Sequence, residues 1–334
     1  MILDAGGYTL FVTKHESATA GISEDKFGRL VLLANRFQLT YWAIRWGGAA
    51  MRAIPTSISY PFARILADCL FSFWPEMRRR TTENYLWVLG PTADFYNARA
   101  FARASFRNYL TYFVDFLRFP GISNAEMLEM VELRGSEHLR QAMALGRGVI
   151  AVGFHVGNID LGAALLGQQG YPVNVVVDRF EPPRLDKLIQ DQRRARGLAL
   201  IPVDRAPRQA LRILRKGEIL ALLIDKPTPG EGMTIRIFGG SMSIPAGAAF
   251  LSWRTGAPIV PCRVIRRPDN QYRAEIGVPI DPKQSQLSGK QVSVDDLAQR
   301  MATVLEDWVR DEPTKWYPFR RLWTERPRHR VVKE

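Results

Sequence analysis

After Ser123, short apolar runs alternate with stretches of helical periodicity. Runs of this length that are bounded by turn residues are typical of strands. The predicted strands are 149–154, 173–177, 199–203, 219–224, 234–238, 259–265 and 272–278. Helices are predicted between several of them. The alternation therefore predicts an α/β fold in which a central mixed sheet is flanked by helices.

The part of the chain before this sheet has a different pattern. Between Phe27 and Trp74, aromatic and aliphatic residues alternate with arginine. Rings and long arginine side chains together predict amphipathic helices that lie in the headgroup layer of a membrane. The other explanation is that these helices pack on the following domain as core. Residues 76–119 are also predicted to be helical, and their aromatic stripe fits either core packing or the wall of an acyl-chain groove.

Three regions follow from these patterns. Residues 1–25 are predicted to be a poorly ordered lead, residues 26–130 a helical membrane-associating region, and residues 131–334 an α/β domain with a basic tail. The tail contains Arg320, Arg321, Trp316 and Trp323, which either bind anionic lipid or form a solvated face.

Length and charge limit the classes of function. The chain has 334 residues, is 46% apolar and carries a formal net charge of +13, so it is globular and has an anionic partner. That partner is nucleic acid, an anionic membrane surface or an acidic substrate. The absence of finger, RNP and helix-turn-helix signatures disfavours nucleic acid. The two cysteines, Cys69 and Cys262, indicate a reducing compartment and no disulfide framework.

The expected location is cytoplasmic. Residues 1–25 lack a basic stretch followed by an apolar one, so no signal peptide is predicted. Charged residues interrupt the most lipophilic stretch, among them Arg45, Arg52, Arg64 and Asp68. The chain is therefore expected to lie on a membrane instead of crossing it.

His155 and Asp160 are the candidate catalytic pair. The run 148–154 predicts a buried strand, and 161–166 predicts the helix that follows it. Helical positions five apart point about 140° away from each other. The two side chains therefore meet only if His155 precedes the helix and Asp160 lies in its first turn. The carboxylate then accepts from one imidazole nitrogen and leaves the other free to take a proton.

Each of the two residues also has a structural explanation. A histidine at a strand end is often a satisfied structural residue, and an aspartate in a first helical turn complements the helix dipole. The other histidines, His15, His138 and His329, lie at no recognisable ligand spacing from His155, so no metal centre is predicted. A serine esterase would need a Gly-x-Ser-x-Gly elbow, which the sequence lacks.

The segment from Gly153 to Asp160, Gly-Phe-His-Val-Gly-Asn-Ile-Asp, resembles the His-x4-Asp/Glu signature of the glycerolipid and lysophospholipid acyltransferases. The nearest branch contains the lipid A lauroyl/myristoyl and phosphatidylinositol mannoside acyltransferases. Further segments resemble the family in the same order, at 133–139, 214–219, 224–226, 238–240, 244–249, 255–261 and 317–327. Many members of the family have a Trp directly before the acidic residue of the signature, where this chain has Ile159. Gly240 replaces a Glu of some mannoside relatives, so the role of that Glu is not carried over.

The resemblance implies a membrane-associated O-acyltransferase on a glycerolipid acyltransferase-like fold. It would move a fatty acyl group from an acyl thioester, on acyl carrier protein or coenzyme A, to a hydroxyl of a lysophospholipid or glycolipid. His155 would be the general base and Asp160 would orient it, with no cofactor beyond the thioester co-substrate. The amides of Gly157 and Asn158 are the expected oxyanion donors. The implied location is the cytoplasmic face of the inner membrane.

Two further residues are candidates for substrate binding. Arg193 matches a family arginine four residues before a glycine, and it either holds a phosphate or ends a solvated basic helix; its register with Arg194 and Arg196 is open. Asp225 ends an apolar strand, where α/β sheets place ligand-binding groups, or it forms a turn.

Two other classes of function compete with the enzyme. The first is a catalytically idle lipid-binding protein, against which the presence of both His155 and Asp160 counts. The second is a nucleic-acid-binding protein, which rests on charge alone.

Overall fold

The computed structural model describes residues 4–5, 8–9, 38–226, 232–283 and 292–323. The strands are β1 Asp4–Ala5, β2 Tyr8–Thr9, β3 Val131–Arg134, β4 Val149–Gly157, β5 Val173–Val177, β6 Ala199–Pro202, β7 Ile219–Leu223, β8 Gly232–Ile237, β9 Gly240–Pro245, β10 Ile259–Arg266 and β11 Tyr272–Ile276. The helices are α1 Leu39–Ala53, α2 Thr56–Phe73, α3 Pro75–Leu89, α4 Phe95–Arg118, α5 Asn124–Glu129, α6 Ser136–Ala144, α7 Ile159–Gln168, α8 Pro183–Arg194, α9 Ala206–Arg215, α10 Gly247–Thr255 and α11 Val294–Asp311.

The central element is a seven-stranded mixed sheet with the order β3-β11-β10-β4-β7-β5-β6. Strands β10, β4, β7, β5 and β6 are parallel, whereas β11 is antiparallel to β10 and parallel to β3. The predicted fold class, a mixed sheet flanked by helices with a helical N-terminal region, is confirmed. Of the predicted strands, that at 234–238 lies outside this sheet, because β8 pairs only with β9 in a separate hairpin. Sequence patterning did not identify β3 or β9 as strands.

The sheet is buried on both faces, which explains the continuous apolar run of β4. Ile150 and Val152 face a core that contains helices α2 to α4 and α9 to α11. Val149 and Ala151 face a second core, which contains Leu139 and other residues of α6 and α7. Burial on both faces is the usual environment of parallel strands under crossover helices.

The N-terminal helices share the first of these cores with the sheet. In α2, the buried residues that pack there are Tyr60, Ala63, Ala67 and Phe71. A second set of apolar residues on α1 and α2 is exposed instead of buried: Leu39, Trp42, Trp46, Ile58, Phe62, Ile65, Leu66 and Phe73. Core packing is therefore observed for one face of this region, and membrane contact of the exposed face stays a prediction. Along the described part of the chain, no helix combines the length and the apolar character needed to cross a bilayer.

The predicted boundary at residue 130 falls between α5 and β3. Almost all of the predicted lead, residues 1–25, lies outside the described residues. The same is true of the end of the basic tail, from residue 324 onward.

Gly240 has a packing reason for lacking a side chain. Trp87 and Trp323 stack beside it with ring centroids 5.6 Å apart. A Cβ at this position would lie 2.8 Å from atoms of both rings. The glutamate that some relatives carry would therefore collide with the stacked pair.

Candidate active site

His155 and Asp225 meet at the carboxyl edge of two neighbouring strands. His155 is near the end of β4, and Asp225 follows β7 by two residues. The strands are parallel with Gly153 opposite Leu223, so the positions two residues further on also lie side by side. The Nδ1 atom of His155 is 2.5 Å from Oδ1 of Asp225. Strand register therefore fixes the pair.

Asp225 is held by three donors. Besides the imidazole, its Oδ2 accepts from the backbone amide of His155 at 2.8 Å and from the indole Nε1 of Trp316 at 2.9 Å. Its side chain is 2% exposed. Burial raises the pKa of Asp225, but the charge of His155 and these hydrogen bonds outweigh burial and hold the pKa below its usual value. Asp225 is therefore an ionised acceptor at neutral pH.

Asp160 lies in the first turn of α7 and His155 precedes that helix, as the spacing predicted. The expected contact between them was wrong. Among the described residues, no hydrogen bond joins the two, because the oxygens of Asp160 bind Arg193 Nε at 2.8 Å and the Tyr112 hydroxyl at 2.7 Å. Asp225 occupies the imidazole nitrogen that Asp160 was expected to hold.

The Asp160 site is a buried ion pair. The side chains of Asp160 and Arg193 are 8% and 9% exposed. Burial raises the pKa of Asp160, but the charge of Arg193 and the hydrogen bond from Tyr112 hold it below its usual value. Burial, and then the charge of Asp160, raise the pKa of Tyr112 well above its usual value, so its hydroxyl stays protonated and donates.

Arg193 is turned inward, but its register with the neighbouring arginines stays open, because a second arginine of the run is buried as well. Arg193 and Arg196 are buried, and Arg194 is exposed. The guanidinium of Arg193 also donates to Gln190 at 3.2 Å, so two protein groups already hold it. Its phosphate-binding role stays a prediction.

The expected oxyanion role of Asn158 is not supported by its contacts. Its amide donates to the carbonyl of Val264 at 2.7 Å and is therefore engaged with β10. The side chain caps α7 by accepting from the amide of Leu161 at 3.0 Å. Gly157 lies against the same strand at a φ of 68°. A Cβ there would be 1.8 Å from the Val264 oxygen, so the glycine is required for close strand contact.

A cavity of about 850 Å³ opens beside His155. Its apolar lining lies along both faces of the sheet, with Ala151, Val175 and Cys262 on one face and Leu222, together with Ala210 of α9 and Phe250 of α10, on the other. The strands therefore divide this volume, and His155 borders only part of it. His155 is 15% exposed and reaches this space. The arrangement places a proton acceptor in an apolar chamber.

Sequence reasoning missed two of the residues that hold the site. Tyr112 belongs to an aromatic stripe whose spacing fits core packing equally well. Trp316 was predicted either to bind lipid or to lie on a solvated face, but it is fully buried against Asp225. Trp323 is likewise 2% exposed. No local signal distinguishes these rings from ordinary core residues.

Most of the chain is similar to known acyltransferases. The family model of bacterial lipid A biosynthesis acyltransferases matches residues 26–325. The phosphatidylinositol mannoside acyltransferase of Mycolicibacterium smegmatis is 26% identical over 249 residues, which cover 72% of this chain and 79% of that protein. The phosphatidylinositol mannoside acyltransferase of Mycobacterium tuberculosis is 27% identical over 232 residues, 66% of this chain and 71% of that protein. The resemblance found in the motifs is confirmed, and the chain belongs to the bacterial lipid A biosynthesis acyltransferase family and is an acyltransferase.

Proposed function

We propose that the protein transfers a fatty acyl group from a thioester to a hydroxyl of a glycolipid or lysophospholipid, with His155 as the general base. The observation that carries the proposal is the position of His155. Its Nδ1 is bound to buried Asp225, and its ring borders the apolar cavity. A histidine oriented in this way has Nε2 available for the reacting hydroxyl.

The reaction is a direct transfer. Nε2 of His155 removes the proton of the acceptor hydroxyl while the hydroxyl oxygen attacks the thioester carbonyl. The tetrahedral intermediate then collapses as the carbon–sulfur bond breaks. The leaving thiolate then accepts this proton from Nε2, which returns His155 to its neutral form. No metal and no covalent enzyme intermediate enters this sequence, and the thioester is the only co-substrate.

Asp225 takes the orienting role in this proposal. Its Oδ1 accepts from Nδ1, which fixes the tautomer and stabilises the imidazolium that forms during attack. Trp316 and the backbone amide of His155 hold the carboxylate in place. Asp160 and Arg193 instead line the cavity next to the base, and Tyr112 donates a hydrogen bond to Asp160.

The family implies a lipid or glycolipid acceptor. The curated relatives are named for acylation of phosphatidylinositol mannoside, which makes a mannoside-bearing phospholipid the first acceptor to test, with lipid A precursors second. Acyl carrier protein and coenzyme A are the proposed acyl carriers. Both present the acyl group on the same thioester arm, so the assay must separate them.

We also propose that the exposed faces of α1 and α2 hold the enzyme on the cytoplasmic face of the inner membrane. Trp46, Phe62 and Ile65 are 65%, 58% and 62% exposed. Arg45 and Arg64 are exposed between them. Apolar rings that enter the headgroup layer and arginines that bind anionic lipid are the usual components of an interfacial helix.

The test of the reaction is an acyl-transfer assay with labelled acyl carrier protein and coenzyme A thioesters and a panel of phosphatidylinositol mannosides, lipid A precursors and lysophospholipids. Wild type should transfer with one donor and one acceptor class, and His155→Ala should lose at least about 10³-fold in rate. Gln169→Ala, at the end of α7, is the control for losses of rate that come from producing a variant protein and not from changing the site. Equal rates for wild type and His155→Ala would reject the mechanism. Vesicle binding without transfer by wild type would favour the idle lipid-binding protein.

The test of the membrane surface is vesicle co-sedimentation. The triple variant Trp46→Ser, Phe62→Ser, Ile65→Ser should bind anionic vesicles more weakly by at least about tenfold, since each ring or aliphatic chain removed from the interface loses about 1 kcal/mol or more. The matched control is Val278→Ser, another apolar residue that is 69% exposed. Equal binding by the triple variant and wild type would remove this surface from the proposal.

A further inference from the structure

Helix α9 has an exposed face that consists of arginines. The three arginines within the helix lie inside an arc of about 60°, since an α-helix has roughly 3.6 residues per turn. The opposite side of the helix is buried in the core through Ala210, Ile213 and Leu214. A fourth arginine directly precedes the helix and extends the same face. This face, the arginine stripe, is formed by Arg205, Arg208, Arg212 and Arg215, which are all exposed.

The charge of the arginine stripe is not offset by the residues around it. Helix α9 contains no acidic residue, and within the described ranges no carboxylate lies at ion-pair distance from any of the four guanidinium groups. The acidic residues on either side are held elsewhere. Asp204 is 3.5 Å from Arg179, and Glu218 accepts from Asn174 at 2.9 Å. On α3 and α8, by contrast, exposed arginines pair with carboxylates three or four positions away.

The arginine stripe begins at the edge of the sheet that holds the proposed base. Parallel register across β6, β5, β7 and β4 places Pro202, the last residue of β6, level with Gly153, two residues before His155. Arg205 follows Pro202 closely along the chain. With strands about 4.8 Å apart, β6 lies about 14 Å from β4 along the sheet. A partner bound to the stripe would therefore lie beside the edge at which the thioester must react.

The shape and composition of the stripe favour a protein as its partner. Small ligands bind in concave sites, whereas an exposed helix face is convex. A helix that lies in a membrane adds exposed apolar side chains to its basic ones. Helices α1 and α2 have both kinds, but the leucines and the isoleucine of α9 are buried or half-buried. A row of positive charges without exposed apolar side chains instead complements an acidic protein surface.

We infer that the arginine stripe is the docking surface for an acidic acyl carrier protein, which brings the thioester to the reaction cavity. This inference rests on the proposed acyl transfer and selects the carrier protein over coenzyme A. The three arginines within the helix extend over about 10 Å of its length, at 1.5 Å per residue. Each guanidinium can donate two hydrogen bonds to one carboxylate of the partner. The positive potential would also accelerate the encounter between the two proteins.

The experiment measures docking without transfer. The probe is a bacterial acyl carrier protein in its apo form, which lacks the phosphopantetheine arm and can bind only through its surface. Surface plasmon resonance compares wild type, the double variant Arg208→Glu, Arg212→Glu and the control Arg99→Glu, Arg140→Glu. The control arginines are exposed on other helices, and both variants change the net charge equally. The stripe variant should bind at least about tenfold more weakly, because each change replaces an attraction with a repulsion. The control should bind as wild type does.

Three results would overturn the inference. The first is no binding of the apo carrier protein by wild type at low ionic strength, where contacts between exposed charges are strongest. The second is equal weakening by both variants, since total charge and not the stripe would then decide binding. The third is no loss by the stripe variant, whose fold is checked by thermal unfolding. If this variant instead lost binding to anionic vesicles, duplex DNA or coenzyme A, the stripe would be assigned to that ligand.

The docking surface and the reaction can fail separately. If only the stripe variant loses the carrier protein while wild type transfers no acyl group, the inference stands and the proposed reaction fails. If wild type transfers acyl groups and the stripe variant binds the carrier protein equally well, the reaction stands and the inference fails.

Discussion

Asp160 and Asp225 are both buried carboxylates near the carboxyl edge of the same sheet, but they bind different partners. Asp225 holds the imidazole of His155, whereas Asp160 holds the guanidinium of Arg193. Asp160 is close to His155 in sequence, and Asp225 is close to it in the sheet. The comparison shows that a histidine in a strand is oriented by the neighbouring strand, while the carboxylate in the following helix faces other helices.

The substitution Asp225→Asn should show the largest difference in function between the two carboxylates. An amide can stabilise the wrong tautomer of His155 and cannot stabilise the imidazolium, so kcat/KM should fall by about 10³- to 10⁴-fold. The fold should remain, because the amide is nearly the same size. Steady-state kinetics with the donor and acceptor found in the transfer assay measures this loss. A reduction of less than tenfold would show that Asp225 does not orient the base.

Asp160→Asn should act mainly on stability. It leaves the buried guanidinium of Arg193 without its counter-charge, which costs about 3–5 kcal/mol in the free energy of unfolding. Urea denaturation measures this change. The control is Asp191→Asn on the same helix as Arg193, because Asp191 is 46% exposed and its pair with Arg194 should contribute at most about 1 kcal/mol. If both variants lost the same stability, the Asp160 pair would have no special structural role.

Acidification should remove the stabilisation that both carboxylates, Asp160 and Asp225, contribute to the folded state. Each has a folded-state pKa below its unfolded value of about 3.9. Their stabilisation is therefore fully present above the unfolded pKa and is lost as pH falls through the folded pKa. Below about pH 5, the free energy of unfolding should decrease less steeply for Asp160→Asn than for wild type, by up to about 1.4 kcal/mol per pH unit. Parallel pH profiles of the two proteins would contradict the lowered pKa of Asp160.

The same comparison shows how far sequence reasoning extends. Apolar runs located most strands, and β5 was predicted with its observed bounds, 173–177, because local periodicity determines a buried strand. The strand order was not predictable in this way. Strands β5 and β6 separate β4 from β7 along the chain, yet β7 is the neighbour of β4 in the sheet. The His155–Asp225 contact joins residues 70 apart and depends on that order.

The Asp160 pair was unpredictable for a related reason. Arg193 is 33 residues away, and its inward orientation depends on how α8 packs. The sequence matched Arg193 to a family arginine but left its register with Arg194 and Arg196 open. Only the packing of α8 and of the turn that follows it distinguishes the two buried arginines, Arg193 and Arg196, from the exposed Arg194.

Tyr112→Phe should produce the smallest effect, and it sharpens the comparison because it perturbs only Asp160. The substitution removes the 2.7 Å hydrogen bond to Oδ2 and leaves the pair with Arg193 in place. Loss of one hydrogen bond to a charged group should lower the free energy of unfolding by about 1.5–3 kcal/mol. Tyr96→Phe, on the same helix and 72% exposed, is the control and should change it by less than about 0.5 kcal/mol. The pH profile of kcat should be unchanged, because the Asp225–His155 pair is untouched. A shifted profile in Tyr112→Phe would mean that Asp160 acts on the base after all, and the division of roles between the two carboxylates would fail.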